Sequence, residues 1–512
     1  MSLAISNFVE KGQASNIQNF LDQKGSSLKY LVESIFSLAE KTSEQKEKKQ
    51  LIAKSLAKIS LLDAFKQQLS QDLLELLELE NFQKIQDFEV QDSLMAVTRN
   101  LYLDKNNIEG TLQNLTLIFT AMCFMLHHEE TRLSQQALKI IIQLIKMIHE
   151  TNKEMFLSYK DQLQELLIKG IMSENTVVMV RYFELACNLA QISPELSQLT
   201  EPVIEQVFEQ FFNLDMLTQM AVMDFVAILG QNQQTSMILA KKQFLPKLFE
   251  KFRYGEDHYG FITNNLVVLG AFIYSVNAKI YNPLQSEDYL AYFRNMISSK
   301  SPKDQETAST CMFFFFKNRE CLFEYFVHNL DILKTWLGTF RSTDPELRKA
   351  SFQALRQLLK AKDEETKEKY NEIIRRIYGN ITHPSNFPEM GNENQSTEYL
   401  IREADVPFEA QELLLIKVMK QLINWEWGMR SLYANSKAVS YILKRTPKAK
   451  LLVEKQFSLV QKTIQSKFFM KQMNVVDPII GEQLEVYYSQ GVYGIQGGGG
   501  PNFVPEYASK SF

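Results

Sequence analysis

The stretch PFEAQELLLIKVMKQLINWEWGMRSLYANSKAVSYILKR, residues 407–445, decides the fold. Glu409 and Glu412 open a long apolar-periodic run, where carboxylates favour the positive end of a helix dipole. Leu413, Leu414, Ile416, Val418, Met419, Leu422 and Ile423 recur at helical spacing, and the run closes on Trp425, Trp427 and Gly428. Gly428 is expected to stop this helix. Asn435-Ser436 is expected to cap the next, whose apolar face begins with Ala438, Val439, Ile442 and Leu443. Two helices joined by a short break, apolar faces side by side, make one unit of an α-solenoid. The segment is built to pack and to recognise, and it holds no constellation for chemistry.

Working outward, the same unit recurs. An apolar helix, a polar break and a helix opening with Arg or a small residue appear at Arg132 to Ile148, Arg181 to Ile192, Leu217 to Leu229, Ala308 to Phe316, and Arg348 to Leu359. Arg132 and Arg181 are 49 positions apart and Pro302 and Pro345 are 43 apart, close to the roughly 40 to 47 residues of HEAT and armadillo units. In DPELRKASFQALRQLLK, from Asp344, the Asp-Pro pair places a cap and a proline in the first turn, where the missing N–H costs nothing. Leu347, Ala350, Ala354, Leu355 and Leu358 form the expected buried stripe. Arg348, Lys349, Gln353 and Arg356 lie on the other side, which lines the inner surface in such repeats. The expected fold is all-α, an armadillo/HEAT-type solenoid forming a right-handed superhelix of helical hairpins.

Composition agrees. The 512 residues exceed one compact core, so a one-dimensional stack is natural. Only 19 Gly and 13 Pro interrupt them, which favours helices throughout. Cys123, Cys187, Cys311 and Cys321 sit singly in apolar runs, without CxxC spacing, and read as core residues of a reducing compartment. The N-terminus MSLAISNFVEKGQ lacks the pattern of a signal peptide, and the apolar run Leu115 to Leu126 is too short to span a bilayer. The expectation is a soluble intracellular protein. Its divisions are N-terminal helical repeats over 1–110, HEAT/ARM-like repeats over 111–360, and a charged helix and loop insertion over 361–406, with the long loop at 380–397. C-terminal repeats with a basic face follow over 407–490, then a flexible Gly-rich tail over 491–512.

Residues 407–445 also resemble the 26S proteasome non-ATPase regulatory subunit 5 family, base-assembly chaperones built from HEAT/armadillo-type repeats. The matching positions are Pro407-Phe408, the apolar run Leu413 to Ile423, Trp427, Leu432-Tyr433, and Val439-Ser440-Tyr441 to Arg445. Val222 to Leu239, VMDFVAILGQNQQTSMIL, resembles the family's apolar helix, Ile-Leu-Gly stop and polar linker. Leu484 to Ile495 is a weaker match, with Val492 and Gly494 where the family carries Pro and Tyr. The resemblance implies a chaperone that holds the C-terminal domain of a proteasomal AAA+ ATPase subunit during base assembly and is absent from the finished particle. It implies no cofactor and no catalysis. The chain is expected to be a monomer when free and to be cytoplasmic, with the nucleus as a second location. The alternative is an armadillo/HEAT transport or scaffolding adaptor for another cargo.

Candidate chemistry is weak on residue grounds. Gly491, Gly494 and Gly497 to Gly500 are not followed by Lys-Ser/Thr and precede no helix, so no phosphate loop is expected. His127-His128-Glu129-Glu130 cannot converge on one ion within a helix, because adjacent residues point about 100° apart. The block reads as a polar turn. Asp257-His258 lacks a nucleophile. Cys311 to Lys317, Trp425 and Trp427 read first as core. Charge says more: from Lys437 to Gln472 nine Lys or Arg face one acid, Glu454, in a chain of net charge −4. Such asymmetry fits either a solvated helix pair or a surface for an acidic protein partner, and without interleaved aromatics it does not point to nucleic acid. Helix phase picks Asn188, Asp224, Arg348, Lys349 and Arg356 as partner contacts, and Lys444 and Arg445 join them from the basic run. No catalytic, cofactor or metal residues are assigned.

Overall fold

The computed structural model describes residues 43–61, 85, 87–103, 108–241, 243–253, 260–278, 281–318, 321, 325–360, 364–405, 408–444 and 449–493. Helices joined by short turns account for the architecture, and no strand occurs among the described residues. The chain is an all-α solenoid. It divides into two compact units, Met1–Leu229 and Gly230–Phe512, and the boundary falls on the Ile-Leu-Gly stop singled out in the sequence.

Each unit is built in two layers. In the first, Ser43–Ile59, Phe88–Tyr102, Thr131–Thr151, Thr176–Ala190 and Met216–Leu229 pack in succession as a ladder. Leu115–Leu126, Lys153–Ile171 and Pro194–Gln210 back that ladder. In the second unit the ladder is Gly260–Asn277, Pro302–Phe315, Pro345–Leu359, Glu409–Leu422, Lys450–Ile464 and Pro478–Ser489. Its backing layer includes Glu287–Ser298, Leu330–Thr339, Glu393–Ala404 and Glu426–Tyr433.

The repeat is written in the hydrogen bonds between successive ladder helices. Arg132 donates to Asp92 across 40 residues at 2.9 Å, and Gln135 to Glu184 across 49 at 3.0 Å. Asn264 donates to Asp304 across 40, and Ser309 meets Ser351 across 42. Lys462 Nζ donates to the Lys420 carbonyl across 42 residues at 2.7 Å. Equivalent positions of successive repeats therefore touch, which requires parallel ladder helices in register. The spacings of 43 and 49 read from prolines and arginines express the same period.

Helix starts follow a common chemistry. Asp344 accepts the Leu347 N–H at 2.9 Å with Pro345 in the first turn. Ser193-Pro194, Ser301-Pro302 and Asp477-Pro478 repeat the arrangement. The side-chain oxygen satisfies an orphan donor, and proline removes another. Asn435 caps Ser436–Leu443 through the Ala438 N–H at 3.1 Å, as expected.

Two expectations are corrected. Gly428 does not end the first helix of the 407–445 stretch, because that helix stops at Leu422 and Gly428 lies inside Glu426–Tyr433. Glycine is required there for a different reason: a β-carbon would press on the Leu422 carbonyl oxygen where the chain turns back. The stretch 380–397, read as loop, contains the start of the helix Glu393–Ala404, capped by Asn392 through the Gln395 N–H at 3.1 Å. Only the connection before it is irregular. There the backbones of Gly379 and Gly391 approach too closely for any side chain, and the Asn392 N–H donates to the Gly379 carbonyl at 3.0 Å. Tyr378, Ile381, Phe387 and Leu400 are buried, so residues 364–405 form a repeat layer of the core. The tail from 494 onward and Asp257-His258 lie outside the described residues.

Candidate protein-binding surface

Of the residues picked from helix phase, two belong to the first unit and four to the second, while Arg445 lies outside the described residues. Asn188 is half-buried on Thr176–Ala190 and donates to the Glu184 carbonyl at 2.8 Å in its own helix. Asp224 is exposed on Met216–Leu229, and partial desolvation raises its carboxyl above the ordinary value. Lys349 is exposed and pairs with Glu346 one turn earlier at 2.8 Å, while Arg356 is half-buried on the same helix.

Arg348 is not free on an open inner face. Its guanidinium donates to the Ser342 carbonyl at 2.9 Å and lies 3.5 Å from the Glu403 carboxylate. It therefore pins the turn before its own helix to Glu393–Ala404. Arg348 and Lys444 meet in the wall of one groove of about 1530 Å³ in the second unit. Its core is Tyr399, whose hydroxyl donates to the Phe340 carbonyl and whose ring carries the Arg402 guanidinium 5.1 Å from its centroid. Burial, and then the Glu403 charge, push the Tyr399 hydroxyl up to about 12. Val475 and Ile479, both largely exposed, also line the groove. Two cations lining the groove have acids beside them: Lys437 pairs with Glu398 and Arg348 with Glu403.

The basic run is also partly neutralised. Lys467 reaches Glu364 at 2.6 Å and Lys471 reaches Glu426 at 2.8 Å. The remainder gathers on the ladder. Lys420 Nζ donates to Ser458 Oγ at 2.6 Å, and Lys462 donates to the Lys420 carbonyl. Burial, followed by the charges of Lys420 and Lys367, holds the Lys462 ammonium down at about 8. Lys420 is lowered in turn by burial and by Lys455. Sequence reasoning missed Lys420 and Lys367, which lie outside the basic run and join it only through packing.

Other residues weighed as chemical are structural. His127 closes a turn, its Nε2 3.2 Å from the Tyr182 hydroxyl. Arg181 is buried and donates to the Leu126 and His128 carbonyls at 2.8 and 2.6 Å, so it holds that turn together. Trp425 donates its indole N–H to the Leu359 carbonyl at 2.8 Å, and Trp427 donates to Asn371 at 3.1 Å. All four cysteines are buried and unpaired with one another. Among the described residues no three His, Cys, Asp or Glu side chains group as metal ligands, and no helix is long and apolar enough to cross a membrane.

Comparison with known proteins places this architecture. A search of curated protein sequences returns no significant match. Among solved structures, importin beta is 12% identical with a TM-score of 0.50, over 95% of this chain and 64% of that one. Kap121p bound to Nup53p is 11% identical with a TM-score of 0.43, over 96% and 52% respectively. The chain thus spans about half the length of Kap121p. An engineered protein is 13% identical with a TM-score of 0.31 over 95% and 94%. At such identity the likeness to importin beta shows the HEAT-repeat fold alone. The family model described as proteasome non-ATPase 26S subunit matches residues 10–500, nearly the whole sequence, and so the chain belongs to the proteasome non-ATPase 26S subunit family.

Proposed function

We propose that this protein is a chaperone for assembly of the base of the 26S proteasome regulatory particle, binding the C-terminal domain of an AAA+ ATPase subunit. The family match over residues 10–500 carries the reading. The HEAT-type ladder suits it, because stacked helices present a long rigid surface that grips a folded domain by shape. The mechanism is steric masking. While the chaperone covers the ATPase domain, the face that later docks on the core particle is blocked. Release follows when the mature interface binds that domain more tightly, and neither cofactor nor catalysis is involved. The protein acts as a monomer in the cytoplasm and nucleus.

Lys349 and Arg356 of the ladder, with Asn188, Asp224, Lys444 and Arg445, are the proposed contacts. Arg348 is a poor probe, since reversing its charge would set a carboxylate against Glu403 and break the Ser342 contact. The test is titration of the protein with purified C-terminal domains of each ATPase subunit. Saturable binding of one domain, weakened in the double variant Lys349→Glu/Arg356→Glu, is the expected result. Failure of every domain to bind would remove the reading. Binding of unrelated cargo in their place would favour a transport or scaffolding adaptor on the same fold.

A further inference from the structure

In the second unit, four successive ladder helices end on lysines at one edge. Lys317 lies just beyond Pro302–Phe315, Lys360 caps Pro345–Leu359, and Lys420 and Lys462 occupy the last turns of Glu409–Leu422 and Lys450–Ile464. These ends are contiguous. Lys317 feels the charge of Lys360, and the Leu359 carbonyl receives the Trp425 indole just beyond the third helix. Lys462 caps the Lys420 carbonyl. Lys367 and Lys455 lie within electrostatic range of Lys462 and Lys420 respectively.

A lysine at a helix C-terminus ordinarily offsets the dipole, and Lys462 does cap a carbonyl. That accounts for single residues but not for the crowding of like charges. Within the cluster Lys367 pairs with Glu364 at 2.7 Å, as Lys349, Lys437 and Lys471 pair with acids elsewhere in this unit. Among the described residues, Lys420 and Lys462 donate to a hydroxyl and a carbonyl and meet no carboxylate, although burial and mutual repulsion lower both ammonium groups. Repulsion held in a folded edge is relieved by an anion from outside. One end of the edge is apolar: Lys317 Nζ lies 5.8, 5.2 and 4.8 Å from the ring centroids of Phe272, Phe313 and Phe314, all half-buried.

We infer that this edge, from the Phe272–Phe313–Phe314 platform through Lys317, Lys360, Lys420 and Lys462, is a docking strip for an extended acidic polypeptide segment with an aromatic residue at one end. Three steps between neighbouring helices of roughly 8–10 Å give a strip of roughly 25–30 Å, the length of about eight or nine extended residues. Aromatic rings stand only at one end, so stacked bases have no successive platforms, and the net charge of −4 disfavours a long polyanion. The strip does not depend on which protein carries the segment, and it stands apart from the base-assembly reading.

The test uses the full-length protein and a fluorescein-labelled peptide of one Phe followed by nine Glu, read by fluorescence anisotropy. Saturable binding that weakens with added salt is expected. The Lys420→Gln/Lys462→Gln variant should lose at least tenfold in affinity, and Lys455→Glu, an exposed substitution that spares the packing, should lose several-fold. Lys303→Glu, at the opposite end of Pro302–Phe315 from the strip, should bind as the parent does. Absence of binding, or binding by both the Lys455→Glu and Lys420→Gln/Lys462→Gln variants equal to the parent's, would overturn the inference. So would tighter binding of a single-stranded oligonucleotide of the same charge. Variants that lose the peptide yet retain ATPase-domain binding would separate this strip from the proposed chaperone function.

Discussion

Trp425 shows how one side chain can join two repeats. Its ring is buried and its indole N–H satisfies the end of the preceding ladder helix at the Leu359 carbonyl. Trp425→Ala should destabilise the second unit by about 3–5 kcal/mol, while Trp425→Phe, which keeps most of the packing but strands the carbonyl, should cost about 1–3 kcal/mol. Urea unfolding followed by circular dichroism measures both; a Trp425→Phe variant as stable as the parent would mean the hydrogen bond contributes nothing. That Trp425 is core was legible in its place on an apolar stripe. The role of Glu412 was not: it is buried and accepts the Tyr441 hydroxyl at 2.6 Å, because the next hairpin folds over a position that looks like an exposed first turn. Lys462 makes a pH prediction. Its ammonium titrates near 8 in the fold against an ordinary 10.5, so between those values the unfolded chain binds more protons and stability rises with pH. Below about pH 8 the cost of the buried charge is fully present. Lys462→Met should therefore flatten the rise in unfolding midpoint between about pH 8 and pH 10; a slope identical to the parent's would refute the burial.

At the scale of elements, helix starts were the most legible feature. Asp344-Pro345 and Asn435-Ser436 carry their caps in adjacent residues, and local hydrogen bonds decide them. Helix ends and the region 380–404 were less legible, because tertiary contacts decide them. Asn, Pro and Gly between 380 and 392 suggest a long loop, yet Tyr399 and Leu400 are buried and draw Glu393–Ala404 into the backing layer. Gly428 makes the same point. In an exposed helix interior Gly→Ala stabilises by about 1 kcal/mol. Gly428→Ala should instead destabilise, since the added methyl meets the Leu422 carbonyl at the turn between Glu409–Leu422 and Glu426–Tyr433. A raised melting temperature for this variant would show that the turn has room.

On the scale of the whole molecule, periodicity was readable because a solenoid repeats local sequence: spacings of 43 and 49 foreshadowed bonds spanning 40, 42 and 49 residues. The binding surfaces were not readable in the same way. Lys317, Lys360, Lys420 and Lys462 come from four repeats, and only stacking makes them neighbours. The tight basic run that stood out in the sequence is partly cancelled by Glu364 and Glu426 from other repeats. Charge along a chain and charge on a surface are different distributions in a repeat protein. What the family membership adds is a setting, the proteasome, for a helical scaffold of this kind. The most direct measurement is co-purification of the tagged protein from cells, with bound subunits identified by mass spectrometry. The account predicts free ATPase subunits and base intermediates without core-particle subunits; recovery of complete 26S particles, or of no ATPase subunit at all, would contradict it.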